Sequence, residues 1–138
     1  MTDEPHLPTP REIAELVAFL PRLYAPGFVP ITQWHGGDRG PDGAIRMPWP
    51  EYDPLVEEFT RAIASGGWLD YAYRPEEAYQ MFADEDFIKT ASLPQIRSML
   101  TYFVRGERFS DGHWGAMIAS GQIRRLLERL AELGSTLP

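Results

Sequence analysis

Arg105, Glu107, Arg108, Asp111 and His113 fall within a single short stretch, with Gly106 and Gly112 between them and Trp114 at its end. Arginines three apart share a helix face. Two guanidiniums presented together can grip a carboxylate or phosphate through paired N–H donors. His113, with an ordinary pKa of ~6.5, or Glu107 would then be the acid or base beside a bound anion. Asp111 could orient Arg108 or His113, and Trp114 completes the candidate ligand site. The same residues also suit a structural clamp, in which Arg108 ties two helix ends by bonding exposed carbonyls and nearby carboxylates. The clamp is the plainer reading. On it, Arg108→Ala would cost ~3–5 kcal/mol by leaving a buried carboxylate unpaired. No hydroxyl nearby, Ser110 included, stands in a nucleophile motif, so no reaction type is specified.

A second set is aromatic: Trp34, Trp49, Tyr52, Trp68, Tyr71 and Tyr73. Such residues can line a pocket or stack bases, but filling a core between sheet and helices is the simpler use. Met47-Pro48-Trp49-Pro50-Glu51-Tyr52-Asp53 is different in kind. Proline stiffening makes such a segment cheap to hold in place, and Trp49 and Tyr52 make it a candidate docking edge for a protein partner. The alternative is a rigid linker. Arg124, Arg125 and Arg129 are expected on the solvated face of the last helix, with a partner-binding stripe as the lesser reading.

Metal and cofactor chemistry find little support. His6, His35 and His113 are isolated, and no HExxH-type spacing occurs. Asp38 and Asp42-Gly43 imitate a calcium loop, but Gly40 and Trp49 stand where ligands are needed. The glycines of 36–43 match neither GxGxxG nor a P-loop. With no cysteine, disulfides and thiolate zinc sites are excluded. No metal or cofactor is expected.

The formal net charge is −7. Residues 1–92 carry 7 basic against 16 acidic side chains, and Lys89 is the only lysine of the chain. An acidic chain argues against duplex nucleic acid, which needs a dense basic face. The arginine bias suggests a GC-rich bacterial source. No apolar run approaches the ~20 residues that span a bilayer, and the acidic start lacks a signal-peptide pattern. A cytoplasmic location away from membranes is the default.

The elements that must position these residues follow from caps and periods. Residues 1–8 read as a loose tail, and 9–138 as one domain, as fits a chain of 138 residues. Thr9-Pro10-Arg11-Glu12 is a capping box opening a helix through Ile13, Leu16, Val17 and Leu20, ended or kinked at Pro21. Strands are expected at 28–35, 44–48 and 68–73, the first two joined by a long glycine-rich loop. Asp53-Pro54 opens the next helix, stopped by Gly66-Gly67. Pro75 opens a short acidic helix, and Asp84-Glu85-Asp86 reads as a solvated turn. Ser92 and Gln95 form a second capping box, Ser110 or Asp111 caps a short helix, and Gly121 breaks it before the last amphipathic helix. The fold class is α+β: a small three-stranded antiparallel sheet packed by about five helices, with a helical C-terminal half.

Three segments, Met47–Tyr52, Leu100–Trp114 and Gly121–Leu130, together with a Leu-rich opening helix, resemble a group of small bacterial proteins known only as a domain of unknown function. The opening helix carries Leu16-Val17-Ala18-Phe19-Leu20-Pro21, and the first segment is Met47-Pro48-Trp49-Pro50-Glu51-Tyr52. The junction from Leu100 to Trp114 has an RxxRFxxG pattern, and the last segment closes on Leu126-Leu127-Glu128-Arg129-Leu130. The resemblance covers roughly 13–130 and implies no catalytic residue. Two functions remain in view. One is a non-catalytic protein-binding or regulatory module meeting a protein partner, or a second copy as a homodimer, through Trp49 and Tyr52. The other is a small enzyme or ligand-binding protein holding an anionic small molecule at Arg105, Arg108 and His113.

Overall fold

A computed structural model of the chain describes residues 7–108 and 110–136. The tail expected over 1–8 falls mostly outside them; Pro8, which is described, is buried. The fold is α+β.

Local chemistry sets most helix starts. Helix α1 spans Pro10–Val17, and its capping box forms: the Glu12 N–H donates to Thr9 Oγ1 (3.2 Å) while the Thr9 N–H donates to Glu12 Oε1 (3.1 Å). A turn at Ala18 and Phe19 separates it from a short α2, Leu20–Leu23, which carries Pro21 in its first turn, where the missing N–H costs nothing. Helix α3, Pro54–Ser65, is capped by Asp53, whose carboxylate accepts from the Leu55 N–H at 2.9 Å. Helix α4 spans Pro75–Ala83. Asp84 then caps a further helix, α5, Glu85–Lys89, where a solvated turn was expected. Helix α6, Leu93–Gly106, opens on the Ser92/Gln95 box. Helices α7, His113–Ala119, and α8, Gln122–Thr136, follow. Neither Ser110 nor Asp111 caps α7. Its N-cap is Gly112, at φ 89°.

The sheet differs from expectation. It has two antiparallel strands, β1 at Ile31–His35 and β2 at Trp49–Tyr52, paired Trp34 to Pro50 and His35 to Trp49 with an irregularity between Ile31 and Gln33. The returning strand expected at 44–48 is only an isolated bridge, Arg39 to Ile45; regular pairing begins beyond Pro48, in the segment read as a docking edge or a rigid linker. Prolines are tolerated there because β2 has a neighbour on one side only.

Residues 68–73 are not a strand, despite Trp68, Tyr71 and Tyr73. Side chains of α6 bond the backbone at Gly67, Leu69 and Asp70 instead. Arg97 donates to the Gly67 carbonyl (2.8 Å) and the Leu69 carbonyl (3.0 Å), and Thr101 Oγ1 accepts from the Asp70 N–H (2.9 Å). Asp70 turns the chain by accepting from the Ala72 N–H at 3.0 Å.

The helices, not the sheet, enclose the core. Ile13 and Leu16 of α1, Phe59 and Ile63 of α3, Ile96, Leu100 and Phe103 of α6, and Leu126 and Leu130 of α8 are all essentially inaccessible to solvent. Arg97 and Thr101 are buried with them at 7% and 0% exposure, which is affordable only because both are hydrogen-bonded. Among the described residues, no helix is long and apolar enough to cross a membrane.

Candidate functional site

The junction between α6 and α7 is organised by Glu107. Its Oε1 accepts from the Tyr52 hydroxyl (2.8 Å) and the Trp114 N–H (2.9 Å), and its Oε2 accepts from the Gly112 N–H (2.8 Å). The start of a helix exposes N–H groups and a partial positive charge, so a carboxylate there is doubly favoured. The Tyr52 hydroxyl in turn accepts a longer bond from the Gly115 N–H, at 3.4 Å. One side chain thus fastens β2 to the first turn of α7. Burial, then the hydrogen bond to Glu107 and its charge, push the Tyr52 phenol above its ordinary range, so it stays a donor. Trp114 completes the tie by donating its indole N–H to the Val104 carbonyl at 3.1 Å.

The tie therefore runs through Glu107 and not through Arg108. The Arg108 residue is exposed, and among the described residues its guanidinium makes no ion pair or hydrogen bond. Arg105 is half-buried, with its guanidinium over the Tyr73 ring, 5.6 Å from the centroid. Arg105 is thus held on an aromatic ring, while Arg108 shares no partner with it among the described residues. Asp111 is exposed and orients neither Arg108 nor His113. Phe109 of the junction lies outside the described residues.

His113 is half-buried at the first position of α7. Its ring meets Tyr102 at 5.3 Å and 75°. The Nε2 atom is buried without a hydrogen-bond partner and packs against Gly106, where any Cβ would collide with the imidazole. Desolvation lowers its pKa, opposed by the Glu107 charge and the Tyr102 backbone. An imidazole held neutral against a glycine is built to pack. Its other edge lines a cleft of about 280 Å³ with Tyr79, Phe82, Tyr102, Met117 and Gln122. Neither Arg105 nor Arg108 lines it. This cleft was not legible in advance, because its walls come from four helices and no local motif joins positions 79 and 122.

The hairpin presents a different surface. Trp34 (50% exposed), Ile45 (65%), Met47 (80%) and Trp49 (52%) all face solvent. Trp49 stacks on His35 with centroids 4.2 Å apart and 22° between planes, and His35 Nε2 lies 3.2 Å from Glu51 Oε1. Beside it runs an apolar groove of about 310 Å³ between β1 and α7. Its floor is Gly112, Gly115, Ala116 and Ala119, and a Cβ at Gly112 or Gly115 would strike Trp34 or Ile31. Of the remaining aromatics, Trp68 is core, at 2% exposure, and Tyr71 is exposed. The arginines of α8 are anchors more than a stripe. Arg125 pairs with Glu85 of α5 (3.1 Å), Arg129 donates to the Ala91 carbonyl (3.0 Å), and Arg124 lies over the Tyr24 ring and pairs with Glu128. Among the described residues, no three His, Asp or Glu side chains gather as a metal ion would require.

A family of unknown function (DUF6508) matches residues 8–136. The chain belongs to that family. The match takes in α1 through α8, and so the whole junction, the cleft and the hairpin. Comparison with curated proteins and with solved structures found no similar protein.

Proposed function

We propose that this member of the family is a non-catalytic binding module that docks a protein partner on its β-hairpin. The observation that carries the reading is where the large exposed apolar side chains lie. Val29, Trp34, Ile45, Met47 and Trp49 crowd into 29–49, while Leu7, Tyr71 and Tyr79 account for the rest elsewhere among the described residues. Scattered exposed apolar residues are ordinary, but a two-stranded hairpin that exposes a tryptophan on each of its faces carries the aromatic anchors typical of interface centres. The stacked His35 and Trp49 rings are held rigid before contact, which lowers the entropy cost of docking. The seating of Arg105 over the Tyr73 ring weakens the competing reading of a paired-arginine anion site at the junction.

The test is the double variant Met47→Ser/Trp49→Ser. Both side chains are more than half exposed, so the expected change in stability is within about 0.5 kcal/mol. Affinity capture from the host with wild-type and variant chains is expected to give a stoichiometric protein that the variant loses. Size-exclusion chromatography of the chain alone reports whether that partner is a second copy. Identical captures by both chains would overturn the reading.

A further inference from the structure

The cleft beside His113 lies apart from the hairpin, and the docking reading leaves it unused. Tyr79 and Phe82 come from α4, Tyr102 from α6, His113 and Met117 from α7, and Gln122 from α8. Three rings surround that of Tyr102. Tyr79 stands 6.4 Å away at 61°, Phe82 5.9 Å at 45° and His113 5.3 Å at 75°. None of these pairs is near parallel, so the cleft is no slot for sandwiching a flat ring. Steeply inclined rings instead form walls that one rounded group can touch together.

The charges favour a cation. No Lys or Arg lines the cleft. The Glu107 carboxylate acts on the His113 imidazole, a negative charge that favours a cation beside the ring. Arg105, one turn along α6 from Tyr102, is turned onto Tyr73. Burial keeps His113 uncharged, so it does not repel a positive ligand. The Gln122 amide gives one of its two N–H groups to the Phe82 carbonyl at 3.3 Å, and among the described residues no charged donor lines the cleft to hold an anion. Aromatic faces with a polarisable thioether nearby and no competing cation suit a weakly hydrated organic cation.

We propose that this cleft binds a small organic cation of the quaternary ammonium class, enclosed by the rings of Tyr79, Phe82, Tyr102 and His113. The probes are choline, tetramethylammonium and 3,3-dimethylbutan-1-ol, the neutral carbon counterpart of choline. Each is titrated at constant ionic strength into the full chain, and binding is followed by amide NMR. The expected result is saturable shifts at Tyr79, Tyr102, His113 and Gln122 with both cations. The neutral alcohol is expected to bind about tenfold more weakly. Tyr79 is 60% exposed, so Tyr79→Ala keeps the fold and should weaken choline about fivefold, whereas Tyr79→Phe should retain it. Equal affinity for the neutral alcohol would overturn the proposal, leaving an apolar cleft without preference for charge. So would the absence of saturable shifts at millimolar cation, or a response indifferent to both Tyr79→Ala and Tyr102→Leu.

Discussion

Replacing Glu107 by alanine removes three acceptor bonds at once: those from the Gly112 and Trp114 N–H groups and from the Tyr52 hydroxyl. A lost helix cap costs ~1 kcal/mol and a stranded partly buried hydroxyl a further ~1–3 kcal/mol. Glu107→Ala should therefore destabilise by about 2–4 kcal/mol in urea denaturation. Arg108→Ala should change stability by no more than about 0.5 kcal/mol, because its side chain is exposed and makes no bond among the described residues. A double-mutant cycle of Glu107→Gln with Tyr52→Phe should show coupling of about 1 kcal/mol, whereas Arg108→Ala with Tyr52→Phe should be additive. The sequence marks this junction as dense in charge but does not say which charge ties it. Arginine attracts attention because it can reach many acceptors. The groups that need a partner here are N–H donors at the start of α7, and the two oxygens of the Glu107 carboxylate serve two of them at once. That signal, an acid just ahead of a glycine-started helix, is present in Glu107 and Gly112 and is easily passed over.

At the scale of elements, Gly106 gives a test whose sign depends on which of two effects wins. Alanine in a helix is favoured over glycine by about 1 kcal/mol. At Gly106 the added methyl would drive into the His113 ring, and overpacking of that kind costs about 1–3 kcal/mol. Gly106→Ala alone should therefore destabilise. In a His113→Ala background the same change should become neutral or stabilising, by thermal denaturation of the four variants. The capped starts of α1, α3 and α6 were legible, because each is a local pattern of three or four residues. The third strand was misread, because the aromatics of 68–73 look like a strand until distant side chains claim the backbone, Arg97 as donor and Thr101 as acceptor. The returning strand was misplaced because prolines discourage a strand assignment, yet an edge accepts them.

For the molecule as a whole, the buried tyrosines set the alkaline limit. The chain holds six tyrosines, no cysteine and a single lysine, so tyrosines dominate its titration at high pH. Burial first of all pushes the Tyr24 phenol up to about 12, its hydroxyl donating to the Ile118 carbonyl at 2.8 Å, and Tyr52 is raised as well. A pKa raised by folding contributes stability that is complete below the unfolded value of ~10 and is lost as pH rises through the folded one. Urea midpoints should fall between pH 10 and 12, less steeply in Tyr24→Phe than in wild type. His113 sets an acid limb by the opposite sign. Its pKa is lowered by burial, so its contribution is complete above ~6.5 and is lost as pH falls through the lower folded value. His113→Gln should flatten that limb.

The excursion between β1 and β2 has a practical consequence. Beyond the Arg39–Ile45 bridge, the chain turns back through the Gly40 N–H to Ala44 carbonyl bond (2.8 Å) and the Gly43 N–H to Gly40 carbonyl bond (2.9 Å), with Pro41 and Asp42 exposed at the tip. No core side chain depends on that tip. Doubling the length of such a loop costs only ~0.6 kcal/mol in closure entropy. A foreign epitope or labelling sequence spliced between Pro41 and Asp42 should leave the helical body intact, and would place a reporter on the same hairpin as Trp34 and Trp49 without altering either.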